Sequence, residues 1–159
     1  MKLWLMRHGD AVHQADDDLR PLSGTGREEA RRAGQFLEQM KESPALILHS
    51  TLRRSAETAA LVARELGLEE CLTEHPGLRP EDDPENLVFE LDEEDEDLLL
   101  VGHQPFLSIL ASLLLTRDAG QLPLRWTTGS LLCAERDSGS WKLLSFTSAK
   151  ELRADSGDW

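Results

Sequence analysis

Apolar positions along the chain change spacing several times, and each change marks an element. Residues 2–6 are apolar on both faces, the pattern of a strand buried within an α/β sheet. A polar loop follows from Asp10 to Arg20. Ala30, Ala33, Leu37 and Met40 then recur at helical spacing, behind Ser23 or Thr25 as cap, with Glu28 completing a capping box on Thr25. Pro44 breaks that pattern, and residues 45–48 read as a second buried strand. A second helix spans residues 52–66, with Ala59, Val62, Ala63 and Leu66 on one face and Gly67 at its end. Residues 69–84 look irregular, and a short helix is expected around 85–91. Residues 97–101 form a third buried strand, ending at Gly102-His103. Pro105 suits the first turn of a further helix that buries Phe106, Ile109, Leu110 and Leu113. Residues 130–135 and 141–146 read as a hairpin around Asp137-Ser138-Gly139-Ser140. No internal repeat is present.

Strand and helix alternate, which predicts a three-layer α/β/α sandwich with a mainly parallel central sheet. The expected organisation is one domain over residues 1–150 and a polar tail over 151–159. Ligands of such sheets bind beyond the carboxyl ends of strands. His8 and His103 each lie just past a predicted strand end.

Composition narrows the function classes. A net charge of −13 argues against holding nucleic acid by phosphate neutralisation. The charge is concentrated, however. Eleven of the 30 acidic residues lie between Glu81 and Asp97, and the rest of the chain carries 19 acidic against 17 basic side chains. An anion-binding pocket elsewhere is therefore compatible with the total, and the acidic run reads as a solvated loop and helix face. The apolar runs at residues 1–6 and 110–115 are too short for a signal-peptide core or a bilayer span, so the expectation is a cytoplasmic protein without membrane contact. Cys71 and Cys133 have no metal-type partners nearby and read as buried thiols.

Three segments carry candidate chemistry. In Arg7-His8-Gly9, Gly9 lets backbone approach a ligand, Arg7 offers a planar fork to phosphate oxygens, and neighbouring arginines disfavour imidazolium, leaving His8 a free lone pair. The segment from Ser50 to Thr58 crosses from strand end into helix and puts Arg54 in the first turn, where free backbone donors favour an anion. Val101-Gly102-His103-Gln104-Pro105 repeats the order strand, glycine, histidine, helix. Three such segments, each at a strand end, are hard to attribute to core packing.

Arg7-His8-Gly9, Arg54-Ser55-Ala56-Glu57-Thr58 and Gly102-His103, in that order, resemble the histidine phosphatase superfamily with its phosphoglycerate mutase-like fold. The run from Met6 to Ala11, with Arg20-Pro21-Leu22-Ser23 and Gly26, is similar to the SixA-type phosphohistidine phosphatases within it. The resemblance implies that His8 is the nucleophile and forms a phosphohistidine intermediate. It implies that Arg7, Arg54 and His103 hold the phosphoryl oxygens, with Gly9 and Arg20 beside them, and that neither metal nor other cofactor is needed. The chain departs from the family's larger members in two places: Gln14 stands where many have asparagine, and the glutamate they use as proton donor has no clear counterpart. Glu81, Asp82 and Asp83 lie in the corresponding region. A missing acid matters for an ester, whose alkoxide leaves poorly, but not for phosphohistidine, whose imidazole (pKa ~6.5) is readily protonated. The interval that carries a lid in larger relatives is short here. An open pocket suits a phosphorylated protein such as a histidine phosphotransfer domain.

Three alternatives remain at this point: a phosphatase acting on a small phosphate ester, a non-catalytic phosphoprotein-binding module, and a metal-dependent hydrolase using His8, Asp10 and His13. Against the last, those spacings are not those of a helical ligand pair, and arginines would oppose a divalent cation. His49 is expected to pack near the site, His13 and His75 to lie in loops, and Trp4, Trp126 and Trp141 to form core or wall, with Trp159 in the tail. Thr127, Thr128 and Ser130 are candidates to line the pocket.

Overall fold

The computed structural model describes residues 1–152. Six strands, β1 (Lys2–Arg7), β2 (Leu46–His49), β3 (Leu72–Glu74), β4 (Leu98–Gly102), β5 (Leu131–Asp137) and β6 (Ser140–Thr147), form one sheet in the order β3-β2-β4-β1-β5-β6. The first four in that order run parallel, and β5 and β6 are antiparallel. Four helices pack on the sheet: α1 (Gly24–Gln39), α2 (Arg53–Leu66), α3 (Pro84–Glu93) and α4 (Phe106–Thr116).

Side chains of the central strands point alternately to the two faces, and each face has its own core. Trp4, Met6, Ile47, Leu99 and Val101 meet Ala30, Ala33 and Leu37 of α1 and Ala59, Val62 and Ala63 of α2. Leu3, Leu5, Leu48, Leu98 and Leu100 meet Leu87 and Leu91 of α3 and Phe106, Leu107, Leu110 and Leu114 of α4. This is the expected layered α/β arrangement. Among the described residues no helix is long and apolar enough to cross a membrane.

The strand order makes the site. β1 and β4 are neighbours in register from Leu3–Leu98 to Arg7–Gly102, so their carboxyl ends finish side by side. From β1 the chain leaves by α1 to β2, on the far side of β4; from β4 it leaves by α4 to β5, on the far side of β1. Connections that part in opposite directions open a crevice between them.

Several elements differ from the sequence expectation. Ser23 alone caps α1, accepting from the Gly26 amide, and no box forms on Thr25 because Thr25 already lies inside the helix. Met40 is exposed, since the helix ends at Gln39 and its apolar stripe stops at Leu37. Pro105 sits just outside α4; Leu107, Ala111 and Leu114 are buried there, and Ile109 and Leu113 only half-buried. The stretch 69–84 contains the edge strand β3, three residues too short to show a period. Cys71 is half-buried, and only Cys133 is buried. Leu152 packs in the α1–α2 core, so described packing continues past Lys150. The expected tail otherwise lies outside the described residues, as does Trp159.

Candidate active site

β1 ends where the His8 amide donates to the Gly102 carbonyl (2.9 Å) and the Arg7 amide to that of Ser130 (3.0 Å), fixing the loop after β1 between its two neighbours. Gly9 is required by a close approach. A Cβ there would lie 2.5 Å from the Gly26 carbonyl oxygen, and one on Gly26 would lie 2.0 Å from that of Asp10. The Gly9 amide donates to Thr58 Oγ1 (3.0 Å), whose hydroxyl donates to the Arg54 carbonyl (2.7 Å). Loop, α1 and α2 thus hold one another through backbone.

The two strand-end histidines face each other, with ring centroids 5.0 Å apart. His8 Nδ1 lies 2.7 Å from the Gly9 carbonyl oxygen, which can only accept. The proton therefore sits on Nδ1, and Nε2 keeps its lone pair. His103 Nε2 lies 2.5 Å from Ser50 Oγ, which also accepts from the Leu52 amide (3.2 Å). Among the described residues the Ser50 hydroxyl has no other acceptor for its proton, so it donates to His103 Nε2, and Nδ1 of His103 is the protonated nitrogen. That N–H is buried and has no partner among the described residues, and the same holds for Nε of Arg7 and of Arg54. Three buried donors of this kind, on the residues around His8, fit the oxygens of an oxyanion.

Both imidazoles are held neutral. Burial pushes His8 down to about 4, against the pull of the Gly9 carbonyl, and Arg54, Arg7 and Arg20 push further. His103 is pushed to about 2 by burial first, then by His8, Arg54, Arg79 and Arg7. Desolvation, rather than the neighbouring arginines that the sequence points to, is the larger cause at both rings.

Arg54 is 5% exposed. Its outer nitrogens donate to the Asp17 carbonyl (2.8 Å) and to Asp17 Oδ2 (3.2 Å). Arg7 donates to the Trp126 carbonyl (2.8 Å). Arg20 donates from all three guanidinium nitrogens to Val12, Ala11 and Asp17, so its field reaches His8 while its hydrogen bonds stay in its own loop. Arg53, one residue from Arg54, points away and pairs with Glu57.

Other candidates lie elsewhere. Gln14 and His13 are exposed, and Asp10 accepts from the Ser23 hydroxyl (2.6 Å). Among the described residues no three His, Cys, Asp or Glu side chains converge as metal ligands. His49 donates to the Ser50 carbonyl, and His75 pairs with Glu90. A cavity of about 630 Å3 beside Asp10 is lined by Glu29, Arg125, Thr127 and Thr128, apart from the paired histidines. The Ser130 hydroxyl is buried against the Thr127 amide and hydroxyl, and the Thr128 hydroxyl donates to Glu29, with Thr127 and Thr128 lining the cavity beside Asp10.

Two residues near the site gave no sequence signal. Arg79 reaches Asp18, Thr51 and Glu81, and its charge is felt at His103. Glu29, raised by burial, accepts from the Asp10 amide and the Thr128 hydroxyl and so fixes the backbone behind Gly9.

An imidazole with its Nε2 lone pair free, a second imidazole and flanking guanidiniums thus meet at a parallel-sheet switch point, an arrangement suited to an oxyanion. The chain belongs to the histidine phosphatase superfamily, whose branch 1 model matches residues 3–80. It is SixA-like: phosphohistidine phosphatase SixA of Escherichia coli (strain K12) is 28% identical over 142 residues, 86% of each chain. An uncharacterized protein of Picosynechococcus sp. is 36% identical over 117 residues, covering 66% of this chain and 67% of the other. The structure of the protein histidine phosphatase SixA complexed with tungstate superposes with a TM-score of 0.87 at 28% identity, over 96% of this chain and 100% of that one. A putative alpha-ribazole-5'-P phosphatase from Escherichia coli shares the fold, with a TM-score of 0.77 at 23% identity over 94% and 98% of the two chains.

Proposed function

We propose that the protein removes phosphoryl groups from phosphohistidine displayed on another protein, through a covalent intermediate on His8. His8 Nε2 attacks phosphorus, the P–N bond breaks toward the departing ring, and water then attacks phospho-His8 to release phosphate. Arg7, Arg54 and the Nδ1–H of His103 hold the three transferring oxygens and match the charge they carry in the transition state. Arg20 adds field from the loop, and Gly9 lets the chain behind His8 seat against Gly26.

The observation that carries the substrate assignment is the state of the three acidic residues in the proton-donor region. Glu81 is spent on Arg79, Asp82 accepts from the Arg79 amide, and Asp83 caps α3. Arg79 holds Glu81 below the usual carboxylate range, so it is ionised and a poor acid. Ester cleavage needs such an acid; imidazole departure does not. The similarity to SixA supports the same reading, and a cytoplasmic setting belongs with it.

The test compares turnover of a phosphorylated histidine phosphotransfer domain with that of a simple aryl phosphate, in EDTA. Wild type is expected to prefer the phosphohistidine, and His8→Ala to lose both activities while keeping its circular dichroism. Preference for the aryl ester overturns the substrate, retained activity in His8→Ala overturns the nucleophile, and loss in EDTA overturns metal independence.

A further inference from the structure

Asp17 is the carboxylate that touches Arg54 and Arg20 from the solvent side. Its Oδ2 lies 3.2 Å from an outer nitrogen of Arg54 and its Oδ1 3.3 Å from Arg20, yet its side chain remains 64% exposed. Its neighbours fix it there. Asp16 accepts from the Asp18 amide (3.1 Å), and Asp18 is gripped by Arg79, itself bonded to Thr51 and Glu81. The polar loop is thereby pinned with one anion over the buried end of Arg54.

We infer that Asp17 is a specificity residue, whose carboxylate accepts a hydrogen bond from the N–H of the departing imidazole and so selects phosphohistidine over a phosphate ester. This rests on the phosphohistidine reading above. In that substrate the ring nitrogen remote from phosphorus carries a proton, making the ring an imidazolium. As His8 Nε2 bonds to phosphorus, the P–N electron pair returns to the departing ring, which leaves neutral with its N–H still on the remote nitrogen. No proton has to move in the step. A carboxylate beside that N–H stabilises the imidazolium form. Burial raises the Asp17 carboxyl, but Arg54 and Arg20 outweigh it and hold the group below its ordinary value. It is thus unable to protonate an alkoxide and well suited to accept from an imidazolium. Toward an ester dianion the same charge only opposes binding.

The experiment measures kcat/KM for phosphohistidine and for an aryl phosphate in wild type, Asp17→Asn and Asp17→Glu. Asp17→Asn is expected to slow phosphohistidine turnover by about tenfold, the effect of one charge-assisted hydrogen bond, and to speed the ester severalfold. The alkaline limb of its phosphohistidine pH profile moves to lower pH, because the substrate ring loses its anionic partner. Asp17→Glu recovers part of the ratio. Equal losses on both substrates would mean that Asp17 only positions Arg54, and an unchanged ratio or pH limb would equally overturn the inference. Wild type unable to dephosphorylate phosphohistidine overturns both readings; intact preference in Asp17→Asn overturns this one alone.

Discussion

Acid should unfold this protein through its two buried histidines, His8 and His103. An unfolded histidine takes up a proton below pH ~6.5, whereas His8 and His103 in the fold resist protonation until about 4 and about 2. Between ~6.5 and about 4 these rings give the unfolded chain two more protons than the native one, and between about 4 and about 2 one more, so stability rises with pH. The contribution is complete above the unfolded value and is lost as pH falls toward the folded one. Each group supplies a slope of about 1.4 kcal/mol per pH unit, and the pair roughly 2.7. A fall from pH 6 to 5 thus removes a sizeable part of the ~5–15 kcal/mol that an ordinary domain possesses. Glu29 works the other way: raised by burial, it binds its proton more readily folded than unfolded and blunts the slope at the acid end. Urea unfolding at intervals from pH 7.5 to 4.5, in phosphate-free buffer, reads the slope directly. His103→Asn should halve it. A wild-type slope below about 1 kcal/mol per unit, or the same slope in His103→Asn, would refute the claim that both rings are buried and neutral.

Arg54→Ala should cut kcat/KM on an aryl phosphate at least ~100-fold, and Arg53→Ala by less than about threefold, because its exposed pair with Glu57 is worth only ~0.3–0.5 kcal/mol; equal effects would mean the wrong arginine has been assigned. Gly26→Ala pushes a Cβ against the Asp10 carbonyl. It should cost at least about 1–3 kcal/mol and displace Gly9, reducing both melting temperature and turnover. Gly24→Ala meets nothing within 4 Å and serves as control; matched melting temperatures in the two variants would refute the back-to-back contact.

What could be read in the sequence was whatever depends on neighbours in the chain. The apolar runs of β1, β2 and β4, the helix stop at Gly67 and the hairpin at Ser138-Gly139 are local patterns, and the structure has all of them. The positions of Arg7, His8, Arg54 and His103 were legible because each lies at or soon after a strand end, and a parallel sheet gathers strand ends. Arg79 was not, because its partners Asp18 and Thr51 lie far off in sequence and meet it only once the sheet has formed. Glu29 was hidden for the same reason, looking like any polar residue on an exposed helix face. Burial was invisible too. Adjacent arginines can be counted in a sequence, but the desolvation that dominates both histidines depends on packing from both sides of the sheet.

The facing of His8 and His103 at 5.0 Å has a consequence for how the pocket responds to its surroundings. Two imidazoles that stay uncharged across the physiological range add nothing to its positive charge, which comes from guanidiniums that never titrate there. The attraction offered to an incoming anion is therefore nearly constant from mildly acid to alkaline solution. Any sensitivity of recognition to acidity is left to the visitor, whose own protons decide what charge it brings.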